Sequence, residues 1–372
     1  MRLYFNKETR RECYNSSVPR DPLSRLSDAY ELCAMGRYDR ALRLLSVRVP
    51  APVKAQRHYV RAEALRGQGY FRAAAQEYRH ALHRTQGEER DLIFGAWLGL
   101  TRCLRSLGDT KGARAAIARA RRVPGGDDEE LALEAALVLR AESRHRAALR
   151  ELGPMLSVAR GRRDWAAVGF ILWAVAGSRR FCGQLAASHR DFKAALAAFR
   201  RTHDSEAQAY ALFGLGGIAR IRGRFDEARR AYEAASRKLK GGADLFGRAY
   251  AHCGLANCLR QQGRLDFARK HYLLSYALYA RLDDKVDLAF VDWGLGQIHQ
   301  RRGELPHAQR RYRAALASFS KGGEDRGLVL ARKSLAEILH ARGSTKQAER
   351  LFDSAVRLSR LKGLTAHLEP YT

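Results

Sequence analysis

From residue 209 to residue 363 the chain writes one pattern four times at a spacing of forty residues. Leu215-Gly216 returns as Leu255-Ala256, Leu295-Gly296 and Leu335-Ala336. Each pair is followed by a Gly (Gly223, Gly263, Gly303, Gly343), then an Ala (Ala228, Ala268, Ala308, Ala348), then an aromatic (Tyr232, Tyr272, Tyr312, Phe352). A fixed period of this length restricts the chain to a solenoid, because one unit buries its apolar face only against its neighbours.

The unit itself reads as two helices. Leu215, Ile218, Ala219 and Ile221 recur at helical spacing, and Gly223 stops them. Asp226 and Glu227 open a second stretch, where acids complement the helix dipole. Ala228, Ala231, Tyr232, Ala235 and Leu239 give that stretch one apolar face. Small residues at Gly216 and Ala228 let the two helices approach closely, and Leu215 and Tyr232 fill the space between neighbouring pairs. This order of Leu-Gly, turn Gly, Ala and aromatic resembles the tetratricopeptide repeat, in a version with about forty residues per repeat. The resemblance implies an all-α, right-handed superhelical α-solenoid of about nine helical hairpins.

Earlier turns follow the same pattern more loosely. They are expected near residues 36, 69, 108, 143 and 183, before those near 223, 263, 303 and 343. The expected organisation is a basic N-terminal arm over 1–22, a solenoid over 23–363 and a C-terminal tail over 364–372. Gly153-Pro154 should end or kink the second helix of the fourth hairpin. Pro124-Gly125-Gly126 reads as a link within one solenoid. The last helix has a wide apolar stripe (Leu351, Phe352, Ala355, Val356, Leu358), a place where the tail folds back or a partner or second copy docks.

Charge narrows the function. The 68 Lys and Arg exceed the 39 Asp and Glu, giving a formal net charge of +29, which calls for an acidic partner or a solubility role. Three residues before six successive turn positions stand Arg66, Arg105, Arg140, Arg180, Arg220 and Arg260; Gln300 and His340 follow in register. Arginines near a helix C-terminus are favoured by about 0.3–1 kcal/mol each whatever their task. The tetratricopeptide resemblance implies that this position faces a concave groove. It places Trp173, Phe213, Asn257, Trp293, Gln297 and Lys333 there too, with Tyr59, Phe170, Tyr210, Tyr250 and Phe290. Such a surface suits a partly acidic protein or peptide; the alternative is single-stranded nucleic acid, with bases stacked on rings and phosphates on Arg.

Other classes find no support. No phosphate-binding Gly-rich loop with Lys is present, and Gly214-Leu215-Gly216-Gly217 lies inside a helix pattern. No nucleophile motif frames the Ser, His and Asp residues, and His80 with His83 lacks a third metal ligand. No metal or cofactor is therefore expected. Residues 1–22 have no apolar core of a signal peptide, and no run is long enough to cross a membrane. Six scattered cysteines read as reduced thiols, so the expected compartment is the cytoplasm. The expectation is a non-enzymatic adaptor or assembly subunit.

Overall fold

The computed structural model describes residues 21–46, 50, 53–85 and 89–364; the expected N-terminal arm up to residue 20 and the tail from residue 365 lie outside the described residues. All regular structure among the described residues is helical, in eighteen helices. The chain divides into two compact units between Val138 and Leu139. The first holds α1 (Pro22–Ala34), α2 (Tyr38–Leu44), α3 (Lys54–Gly67), α4 (Phe71–Arg84), α5 (Arg90–Ser106), α6 (Thr110–Ala120) and most of α7 (Asp128–Ala141). The second begins with the end of α7 and holds α8 (His145–Gly161), α9 (Trp165–Phe181), α10 (Leu185–Arg201), α11 (Ser205–Ile221) and α12 (Phe225–Lys238). It continues with α13 (Leu245–Gln261), α14 (Leu265–Arg281), α15 (Lys285–Arg301), α16 (Leu305–Gly322), α17 (Asp325–Ala341) and α18 (Thr345–Lys362).

Local chemistry sets the helix ends. Gly223 has φ 72°, a left-handed conformation that a Cβ would oppose. There the Gly223 amide donates to the Arg220 carbonyl at 3.0 Å and the Arg224 amide to the Ala219 carbonyl at 2.9 Å, so two of the last helical carbonyls find donors. Ser143 makes the equivalent turn with φ 61°. In the second unit α9, α11, α13 and α15 start on a recurring aspartate, whereas α17 starts on Glu324. Asp164, Asp204, Asp244 and Asp284 accept from the amides of Ala167, Ala207, Gly247 and Asp287 at 3.0, 2.9, 2.8 and 3.0 Å.

Pro154 does not end α8, which runs through it to Gly161. Gly153, Pro154 and Arg150 are all exposed, so the carbonyl deprived of its donor by the proline ring is left to water.

Packing runs along the stack. Helices adjacent in sequence pack together from α1 to α6 in the first unit and from α8 to α18 in the second, where successive odd-numbered helices α9, α11, α13, α15 and α17 also touch, forming an inner layer. The repeated aromatic joins the hairpins. Tyr232 is 3% exposed, and its ring fills the room left by Gly216 of its own hairpin and Gly254 of the next. Tyr272 meets Gly294 in the same way, Phe192 meets Gly214, and Tyr78 of the first unit meets Gly99. The space opened by the small residue in Leu-Gly is therefore taken up by an aromatic ring. The corresponding ring of α18, Phe352, is 43% exposed, and Leu361 is 79% exposed.

Gly254→Ala should destabilise the chain by about 1–3 kcal/mol through overpacking against the Tyr232 ring. This holds although Ala is intrinsically about 1 kcal/mol better than Gly in a helix. Gly161→Ala, with nothing near the added methyl, should be neutral or stabilising. Urea denaturation followed by circular dichroism compares the two.

Candidate functional site

The six arginines share a register but not an environment. In the first unit Arg66 donates from Nε to the Tyr78 hydroxyl at 3.2 Å and from Nη2 to Glu63 at 2.7 Å. Arg105 pairs with Glu134 at 3.5 Å. Glu134 is 3% exposed and also receives Arg102 at 2.6 Å, so one enclosed carboxylate serves two guanidiniums.

In the second unit Arg140 lies over the Trp173 ring at 4.9 Å, and Arg180 over Phe181 at 4.9 Å. Arg220 is hydrogen-bonded to the Tyr232 hydroxyl. Arg260 is only 1% exposed. Its guanidinium donates to the Tyr272 hydroxyl at 3.2 Å, to Gln297 Oε1 at 2.9 Å and to Asn257 Oδ1 at 3.3 Å. Tyr272 donates to Asn257 at 2.8 Å, while Gln297 and the Trp293 indole donate to Ser334 Oγ at 3.1 and 3.0 Å. Asn257, Arg260, Trp293 and Gln297 thus form one network across α13, α14, α15 and α17. Its polar groups are satisfied inside the protein, which a buried cation requires. Lys333 lies half-buried on α17.

A second constellation lies on the inner layer. Phe170 and Trp173 of α9, Tyr210 and Phe213 of α11 and Tyr250 of α13 form a chain of ring contacts. Successive centroids are 5.8, 6.4, 5.6 and 4.9 Å apart. Phe213 is 4% exposed and anchors the strip, whereas Phe170, Trp173, Tyr210 and Tyr250 are half-buried and keep part of their surface accessible. Arg326, on the first turn of α17, lies over Phe290 at 4.3 Å. Its charge reaches Arg180 of α9.

Acids collect at the N-terminal ends of these inner helices. The Tyr210 hydroxyl donates to Asp244 at 3.0 Å. Burial, then the charges of Asp244 and Asp204, push the Glu206 carboxyl up to about 7. Asp287 is held well above the ordinary carboxylate range by burial and by Asp284. Burial, helped by the Asp287 charge, pushes the Cys253 thiol up to about 12, so it is a poor nucleophile at neutral pH. Glu206, Asp287 and Arg326 escaped the sequence reading because each occurs once in its register, and a repeat pattern reveals only what recurs.

A model of the MalT-like tetratricopeptide region matches residues 181–370, and a second tetratricopeptide-repeat model matches residues 59–127. The chain belongs to the MalT-like tetratricopeptide-repeat family. Among solved structures, RapI in its apo form is similar over 91% of this chain and 97% of its own, at 12% identity and a TM-score of 0.52. A Rap protein complexed with competence and sporulation factor is similar over 93% and 94%, at 12% identity and a TM-score of 0.48. BtubC from P. vanneervenii is similar over 59% and 92%, at 19% identity and a TM-score of 0.47. No curated protein matches the sequence. Neither matched tetratricopeptide model describes a catalytic family. Among the described residues no group of three or more His, Cys, Asp or Glu could hold a metal ion, and no helix is long and apolar enough to cross a membrane.

The position of Glu206 on this tetratricopeptide scaffold makes stability depend on pH. Its carboxyl titrates near 7 when folded and at about 4.3 when unfolded. The stability associated with its neutral form is complete below the unfolded value and lost as pH rises through 7. Glu206→Gln, always neutral, should therefore raise the melting temperature at pH 8 and leave it unchanged at pH 4, as thermal melts at both values would test.

Proposed function

We propose that this tetratricopeptide protein is a non-enzymatic adaptor or assembly subunit. It holds a partly acidic protein segment or peptide on the inner layer of its second unit. The observation that carries this reading is the half-buried aromatic strip from Phe170 to Tyr250 with Arg180 and Arg326 beside it. Rings with accessible faces offer apolar anchors, and arginines are the side chains best suited to carboxylates in a semi-enclosed setting.

Nucleic acid is the weaker reading. A strand binder needs a run of cations free to meet successive phosphates. Arg66, Arg105 and Arg260 are instead committed to Glu63, Glu134 and the Asn257–Gln297 network. The five described cysteines are unbridged, which supports a reducing compartment such as the cytoplasm.

Affinity capture from the cells that make this chain, with and without nuclease, provides the test. A nuclease-resistant protein should be held by the wild type and by Arg230→Glu, which alters an exposed position. Trp173→Ala should hold it at least tenfold more weakly, about 1.4 kcal/mol. Loss of the partner on nuclease treatment, or equal capture by Trp173→Ala, would overturn the reading.

A further inference from the structure

The chain's own repeats show how an arginine in this register is normally accommodated. Arg260 takes two acceptors at fixed offsets: the Tyr272 hydroxyl, 12 residues on, and Gln297, 37 residues on in the next inner helix. Gln300 uses the same two offsets, accepting from Tyr312 at 2.6 Å and donating to Glu337 at 3.1 Å. Arg66 bonds Tyr78, and Arg220 bonds Tyr232, at the shorter offset.

Arg180 has lost both acceptors. The residue at the shorter offset is Phe192, buried and without a hydroxyl, and the residue at the longer offset is Gly217. The guanidinium lies directly over Gly217, where an added Cβ would stand 2.8 Å from Nη1. Its ring contact, Phe181 at 4.9 Å, accepts no conventional hydrogen bond. The charges of Arg326 and Arg220, both of like sign, reach it, as do the Tyr250 and Tyr232 phenols. Burial, reinforced by the Arg326 and Arg220 charges, lowers the Arg180 pKa. Burial and the Asp284 charge raise the Asp287 carboxyl well above the ordinary carboxylate range, and the Arg326 charge acts against them. Glu324 meets Arg326 only at 3.8 Å, on the same turn.

A half-buried guanidinium that has neither of these acceptors keeps donors to offer an anion. We propose that Arg180, with Arg326 and Tyr250 beside it, is a binding site for an oxyanion carried by the ligand, either a carboxylate or a phosphoryl group. The inference rests on the reading that the second unit's inner layer is the ligand-bearing surface. It places the ligand's negative group at one locus and leaves the other arginines to structural tasks.

The test uses the full chain at constant ionic strength in chloride. Melting temperature is followed while adding inorganic phosphate, N-acetyl-Ala-Ala with a free carboxylate, or the same dipeptide as its amide. Arg180→Gln is the informative variant, because Gln300 occupies the same register naturally; Arg180→Met serves if that variant fails to fold. Arg230→Met, at an exposed position, removes the same charge elsewhere. Phosphate or the free acid should raise the melting temperature of the wild type and Arg230→Met beyond the amide control. That shift should vanish in the Arg180 variants. A response to the acid alone assigns a carboxylate, and a response to phosphate alone a phosphoryl group. An equal shift in the Arg180 variants, or none in the wild type, overturns the proposal. Capture of a nuclease-resistant partner by wild type but not by Trp173→Ala, with no anion shift, would sink this inference alone and leave the adaptor reading standing.

Discussion

The stack depends on one contact: an aromatic ring from an outer helix, as in α4, α10, α12, α14 and α16, seated against glycines of inner helices. Tyr232 between Gly216 and Gly254 is the clearest case. A buried aromatic contributes about 1.5–3 kcal/mol through apolar burial. The insertion also makes each hairpin's core incomplete without the next, which turns a set of marginal helix pairs into a cooperative array. The glycines serve closeness here, and the left-handed turns at positions such as Gly223 serve direction.

The arginine register is a second consequence of that geometry. The hydroxyl of a seated tyrosine reaches the end of its own inner helix, where a side chain that can pair with it belongs. Arg66, Arg220 and Arg260 meet it with a guanidinium, and Gln300 with an amide. One recurring residue type thus has two different fates. With a hydroxyl and a following amide it is a structural bridge, as at Arg260; with Phe192 and Gly217 in those places it lies over the glycine without those two acceptors, as at Arg180. The excess of positive charge in the composition is the sum of these unlike cases and says little about any one of them.

Much of the fold was legible because it repeats. The glycine at 223, the aromatic at 232 and the alanine between them are fixed by backbone conformation and close packing, and those demands recur every forty residues. The continuation of α8 through Pro154 was not legible, because it depends on whether the carbonyl of Arg150 faces solvent. The candidate site was legible only in part. Register singled out Arg180 and Trp173 as candidates, but whether a polar side chain is satisfied depends on residues in other helices. The bond from Arg260 to Gln297 could be recognised only once its offset was seen in space. Glu206 and Arg326 gain their character from burial and from neighbours on adjacent helices, which no local pattern encodes.

The seating of each ring in the following hairpin also shapes how the polypeptide acquires its structure. Tyr232 and its second socket, Gly254, lie in consecutive hairpins, as do Tyr272 and Gly294. Contacts this local in sequence require only short loops to close, so the entropy of closure is small at every step. Within each unit a hairpin emerging during synthesis finds its lock in the stretch that follows, without waiting for a distant segment. Assembly can proceed in the order of translation, each hairpin completing the one before it.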